Sequence, residues 1–93
     1  MVIGVSVWRV LIPGCASLKE KRSVVKSVRE RLKNRFNLSV AETGLQDVHA
    51  RAEVSACVVA TDRKRAHTVL ESADRLLGEE VRLRVLDCQT TYY

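Results

Sequence analysis

Apolar and polar residues alternate along Val2 to Ile12, where Ile3, Val5 and Val7 exchange with Gly4, Ser6 and Trp8. β-branched residues dominate this stretch, so it is expected to form a strand, and Pro13-Gly14 ends it. Ser17 followed three residues later by Glu20 is a capping box that starts a helix at Leu18. Val24, Val25, Val28, Leu32 and Phe36 recur at helical spacing as its buried stripe. Asn37 is placed to end the helix in a left-handed conformation. Leu38 to Thr43 reads as a short strand and Gly44 to Asp47 as a turn. From His49 to Ala60 the period is two: Ala50, Ala52, Val54, Ala56, Val58 and Ala60 share one face, and Arg51, Glu53, Ser55, Cys57 and Val59 the other. Thr61 or Asp62 caps a second helix through about Leu77, with Ala66, Val69, Leu70, Ala73, Leu76 and Leu77 as its core stripe and Gly78 as its end. Val81, Leu83 and Val85 lead a last strand with Arg82 and Arg84 opposite, and the tail from Gln89 to Tyr93 has the residues to lengthen it.

The element order is therefore β-α-β-β-α-β, the ferredoxin-like α+β sandwich, with a four-stranded antiparallel sheet and two helices on one face. Ninety-three residues make one such domain, residues 1–93, and a faint strand-then-helix repeat links its halves. The alanines of the third strand let helices sit close to a central strand. The opposite sheet face is expected to carry Arg51, Glu53, Ser55, Cys57, Arg82 and Arg84, with Trp8 among them.

Charge sharpens this picture. The chain carries +5, yet the segment from Leu18 to Phe36 alone holds eight Lys or Arg against two Glu, leaving about −1 elsewhere. On the first helix, Lys19, Arg22, Lys26, Arg29 and Lys33 fall within an arc of roughly 80° and a length of about 21 Å. Lys21 and Arg35 flank this stripe. Like charges at these spacings repel by a few tenths of a kcal/mol per pair, and Glu30 offsets only part of that. Three readings fit: a phosphate-tracking face for RNA, a solvated helix face whose long stems cover the sheet edge, and a docking face for an acidic protein. The concentration of charge favours the first.

Other chemistry is sparse. Cys15, Cys57 and Cys88 are odd in number and widely spaced, which fits reduced thiols and a cytoplasmic setting rather than a disulfide framework. The apolar start lacks a basic lead and a small-residue cleavage site, so it is read as a strand and not a signal peptide. No apolar run approaches the ~20 residues that span a bilayer. Cys15 precedes the basic helix, but a Cys-x5-Arg phosphate loop would need Arg where Lys21 stands, with Arg22 one residue late. The same loop lacks the glycine-rich pattern and arginine of an acylphosphatase. His49 and His67 have no further ligand at metal spacing. Glu42, Asp47 and Glu53 gather near the middle turn, where a salt bridge to Arg51 fits better than acid–base work. The third strand lacks the aromatics of an RNA-recognition motif. No catalytic residue, metal or cofactor is expected.

Ser17-Leu18-Lys19-Glu20-Lys21-Arg22, Arg35-Phe36-Asn37, Ser39-Val40-Ala41-Glu42, Gln46-Asp47 and Arg51-Ala52-Glu53 resemble the YlxP-like family of small bacterial proteins, a domain of unknown function. The resemblance covers nearly the whole chain. It implies a ferredoxin-like fold and no established activity. The placing of such genes among those for translation initiation and ribosome maturation implies a task near the ribosome or its RNA. His49 stands where the family often has a bulky aromatic, two residues after the Gln-Asp pair.

The expectation is a non-catalytic RNA-binding, ribosome-associated protein that contacts phosphates through Lys19, Arg22, Lys26, Arg29 and Lys33, with support from Lys21 and Arg35. It is expected to be a cytoplasmic homodimer. The alternative is a homodimeric interaction module that uses the open sheet face, through Trp8, Arg51, Glu53, Arg82 and Arg84, and binds no specific RNA. A small-molecule sensor would need a glycine-bearing ligand loop at the dimer seam, and only Gly14 and Gly44 are available.

Overall fold

The computed structural model describes all residues, Met1–Tyr93. Its elements are β1 (Val2–Leu11), α1 (Leu18–Arg35), β2 (Ser39–Gly44), β3 (Arg51–Ala60), α2 (Arg63–Glu79) and β4 (Arg84–Tyr92). The strands form one antiparallel sheet in the order β2-β3-β1-β4, which is the ferredoxin-like arrangement. Both helices lie on one face: α1 packs towards β2, and α2 over β1, β3 and β4. Ser17 caps α1 by accepting from the Glu20 amide, while the Glu20 carboxylate accepts from the Ala16 amide. Asp62 caps α2 through the Arg65 amide.

Directly opposed residues of antiparallel strands share a sheet face, so the register divides the sheet cleanly. Gly4, Ser6, Trp8 and Val10 of β1 face the helices together with Val58, Ala56, Val54 and Ala52 of β3. This reverses the expected phase of β1. Trp8 is 0% exposed, in the core between sheet and helices, and its indole N–H donates to Asp74 of α2 at 2.9 Å. Gly4 and Ser6 are small because α2 crosses there: a Cβ on Gly4 would stand 2.8 Å from a Leu70 methyl and 3.3 Å from the Ala66 Cβ. The buried Ser6 hydroxyl is matched by Thr90 of β4 at 2.7 Å. Ile3, Val5, Val7, Arg9 and Leu11 consequently face away from the helices.

Three element ends differ from expectation. No left-handed residue ends α1; Phe36 leaves it in extended conformation, its N–H still bonded to the Leu32 carbonyl. α2 runs through Gly78 to Glu79. A turn follows in which Val81 is 94% exposed and Leu83 is buried, so β4 begins only at Arg84. β4 then pairs with β1 as far as Tyr92, across an irregularity between Arg9 and Val10. The tail therefore does extend the last strand.

Filling the core with the Trp8 ring makes it a packing residue. Trp8→Ala is expected to destabilise the fold by about 3–5 kcal/mol, against at most about 0.5 kcal/mol for an exposed residue. Urea unfolding followed by far-UV circular dichroism distinguishes the two.

Candidate nucleic-acid interface

The register that buries Val25, Val28 and Leu32 of α1 turns a row of cations outward along the same helix. Arg22, Lys26, Arg29 and Lys33, together with Val25, Glu30 and Glu42, line one groove of about 370 Å³ running beside α1. None of these four cations has a carboxylate within salt-bridge distance. The Arg29 Nε is shielded from solvent and has no hydrogen-bond partner. A free, aligned row of cations in a concave polar surface suits a chain of phosphates.

Lys19 is exposed but separate. It lines a different depression over the start of α1, with Pro13, Gly14, Cys15, Glu20 and Arg82 among its walls. Arg35 is exposed at the other end of the helix, in a hollow with Phe36, Ser72, Arg75, Leu76 and Glu79. Lys21 belongs to neither. It is 1% exposed, its ammonium 2.9 Å from a Glu42 carboxylate oxygen and bonded to the Leu45 carbonyl. Lys21 therefore does not contact phosphate; it ties α1 to β2 and to the loop after it, where Leu45 has a positive φ of 58°. Its spacing to Val25, Val28 and Leu32 places it on the buried stripe, which is the signal that identifies it.

The second expected surface is also rearranged. Trp8 is absent from the open sheet face because it is in the core. Arg82 is absent because it lies before β4, where its guanidinium bonds Glu80 and the Ser27 hydroxyl. Arg51 and Arg84 remain on the face, at opposite flanks of Leu11. Glu53 remains there too, paired at 3.6 Å with Arg9 rather than with Arg51, and accepting from the Thr43 hydroxyl at 2.8 Å. The residues that sequence reasoning missed are those of β1 on this face, Ile3, Val5 and Val7 beside Val59 and Cys57 of β3, and Leu11 between Arg51 and Arg84.

The remaining polar groups serve the scaffold. Cys15 donates its thiol to the Ser17 carbonyl, and a His49 ring nitrogen lies 2.9 Å from the Cys15 carbonyl. Burial pushes the Cys88 thiol up, and the carboxylates of Asp74 and Asp87 push the same way against a bond with Thr90, which disfavours the reactive thiolate. All three cysteines are unpaired. His67 on α2 spans Glu71 and the Tyr92 hydroxyl. Glu80, nearly buried, bridges Arg31 of α1 and Arg82. The Arg82 hydrogen bond outweighs burial, and the Arg31 charge adds to it, so the Glu80 carboxyl is held below the usual carboxylate range.

Comparison with known proteins agrees with the fold. The family model DUF503, described as a protein of unknown function, matches residues 3–90. A relative named "Uncharacterized protein YlxP" from Bacillus subtilis (strain 168) is 34% identical over 70 residues, covering 75% of this chain and 76% of the relative. The solution NMR structure of a de novo designed protein with a ferredoxin fold superposes with a TM-score of 0.55 at 17% identity, covering 100% of this chain and 83% of the design. No helix is long and apolar enough to cross a membrane.

Two outcomes follow from the buried ion pairs. Lys21→Met leaves Glu42 and the Leu45 carbonyl without their cation and is expected to cost about 2–4 kcal/mol in urea unfolding. Because the folded Glu80 carboxyl titrates lower than the unfolded one, its contribution is complete above the ordinary carboxylate range and is lost as pH falls through the folded value. Glu80→Gln is therefore expected to cost about 1–2 kcal/mol at neutral pH, with the gap from wild type closing in acid.

Proposed function

The chain belongs to the DUF503 family, whose function is unknown, and for it we propose a non-catalytic role: binding structured RNA, ribosomal in origin, through phosphates held along α1. The observation that carries this reading is the groove lined by Arg22, Lys26, Arg29 and Lys33, four cations without carboxylate partners. Three other helix cations are paired, Lys21 with Glu42, Arg31 with Glu80 and Arg65 with Asp62; the remaining unpaired ones, Lys19, Arg35, Arg63, Lys64 and Arg75, do not share one groove. Leaving four cations unpaired on one side of one helix costs repulsion in the free protein, and a polyanion relieves it.

Contacts of this kind give affinity and orientation with little sequence readout. With Trp8 buried and no aromatic on the third strand, the open sheet face offers one exposed ring, Tyr93 beside Ile3 at its edge, which falls short of a base-stacking platform, so recognition rests on RNA shape and phosphate spacing. Lys19 and Arg35, at the two ends of α1, extend the contact beyond the groove. The ribosomal assignment comes from the gene setting that the family resemblance implies. A ribosomal partner implies a cytoplasmic setting, with which three unpaired cysteines are compatible.

The test is co-sedimentation with ribosomal subunits and with free ribosomal RNA at low and moderate salt, beside the variant Arg22→Glu/Lys26→Glu/Lys33→Glu. Four phosphate contacts set a log–log salt slope of about −3 to −4. The variant is expected to keep its circular dichroism spectrum and to bind RNA more than tenfold more weakly. A folded variant with unchanged RNA affinity would remove α1 from the interface, and equal affinity of the wild type for every polyanion would reduce the groove to a general cationic surface.

A further inference from the structure

The open sheet face has a property that α1 does not explain. Its centre is apolar and made of short side chains, and its charges are confined to one end. Along the β1–β3 seam, the outward pairs run Ile3 with Val59, Val5 with Cys57, Val7 with Ser55, Arg9 with Glu53 and Leu11 with Arg51. Val59 is 62% exposed. Such a face suits another β-sheet, packed at about 10 Å with interdigitating side chains. Its charges are nearly balanced, with Arg9, Arg51 and Arg84 against Glu53 and Asp87. A nucleic acid or an anionic lipid surface would call for a marked cationic excess.

We infer that this face is the interface of a homodimer, the two sheets meeting about a twofold axis that runs along the strands over the β1–β3 seam. A half-turn about that axis exchanges the β1 side for the β3 side and keeps each level along the strands. Ile3 of one copy then meets Val59 of the second, and Arg9 of one copy meets Glu53 of the second, twice over. An axis across the strands would instead press the Ile3 end onto the Arg9–Glu53 end and bury charge against apolar surface. The first arrangement sets apolar residues against apolar ones and Arg9 against Glu53, leaving Leu11 against Arg51 only at the end of the seam, and so comes closer to the self-complementarity that an isologous contact requires. Strands of ten, six, ten and nine residues at ~4.8 Å spacing and ~3.3 Å rise give a projected area of roughly 550 Å², about two-thirds of the ~800 Å² per partner of stable complexes.

Sedimentation equilibrium from micromolar to submillimolar protein tests the assembly. The 10.5 kDa chain is expected to reach twice its mass, and Val7→Lys to weaken association at least tenfold while retaining its circular dichroism spectrum. Arg9→Glu and Glu53→Arg chains should each self-associate poorly, since each places like charges across the axis. Mixed together they are expected to form a heterodimer, because the two acidic side chains that the first variant then carries at these positions face the two basic ones of the second. Where Glu53→Arg fails to fold, Val5→Lys replaces it as a second monomerising change. A wild type that stays monomeric, an assembly indifferent to Val7→Lys, or mixed chains that remain apart would each overturn the proposal. So would a monomer that binds anionic vesicles and loses them on Val7 substitution, which would give the face to a lipid surface. Val7→Lys is expected to leave RNA co-sedimentation intact, so failure here is separable from failure of the α1 groove.

Discussion

The crossing of α2 over β1 governs the rest of the molecule. At that crossing Gly4 has no room for a Cβ beneath Leu70 and Ala66, Ser6 turns its hydroxyl to Thr90, and Trp8 fills the core and bonds Asp74. Because side chains on a strand alternate, fixing these three inward fixes every other residue of β1 outward. Ile3, Val5, Val7 and Leu11 reach the open face as a consequence of the inward set. A slip of one residue would bury Arg9 and expel the tryptophan, so the phase is strongly specified.

The second constraint is the way charge is divided on α1. Lys21 and Arg31 are committed to the scaffold, one holding Glu42 and the Leu45 carbonyl, the other holding Glu80. Those ties fix α1 against β2 and against the turn after α2, and thereby set which side of the helix looks outward. Arg22, Lys26, Arg29 and Lys33 are what remains on that side, gathered into one groove. The cationic face and the apolar face then lie on opposite sides of the sandwich, and in the inferred dimer the two grooves point away from each other.

Most of the fold was legible because its elements have clear periods. On β3 alanine and valine occupy one phase without exception, and the α1 stripe follows directly from helical spacing. β1 misled because both its phases are apolar: Ile3, Val5 and Val7 outweigh Gly4 and Ser6 in any hydrophobicity count, yet the small residues mark where a helix must approach. Lys21 was misassigned by its charge, although it shares the spacing of Val25, Val28 and Leu32 and is the member of that stripe nearest the polar loop. Arg82 was misplaced because the alternation of Val81, Leu83 and Val85 imitates a strand, whereas Glu80 accepts from the Arg82 amide and guanidinium and closes a turn there. For β1 the deciding partner lies far away in sequence, on α2, and a count of apolar residues does not register it; for Lys21 the helical spacing carried the signal and the charge obscured it.

Two opposite faces are proposed to have different tasks, α1 for RNA and the open sheet for a second copy. Backbone amide shifts of the isotope-labelled protein, followed by NMR while a ribosomal RNA hairpin is added, address this division most directly. Perturbations concentrated at Arg22, Lys26, Arg29 and Lys33, with Val5, Val7 and Cys57 unmoved, are the expected result. Perturbations concentrated on Val5, Val7 and Cys57, with α1 silent, would contradict it.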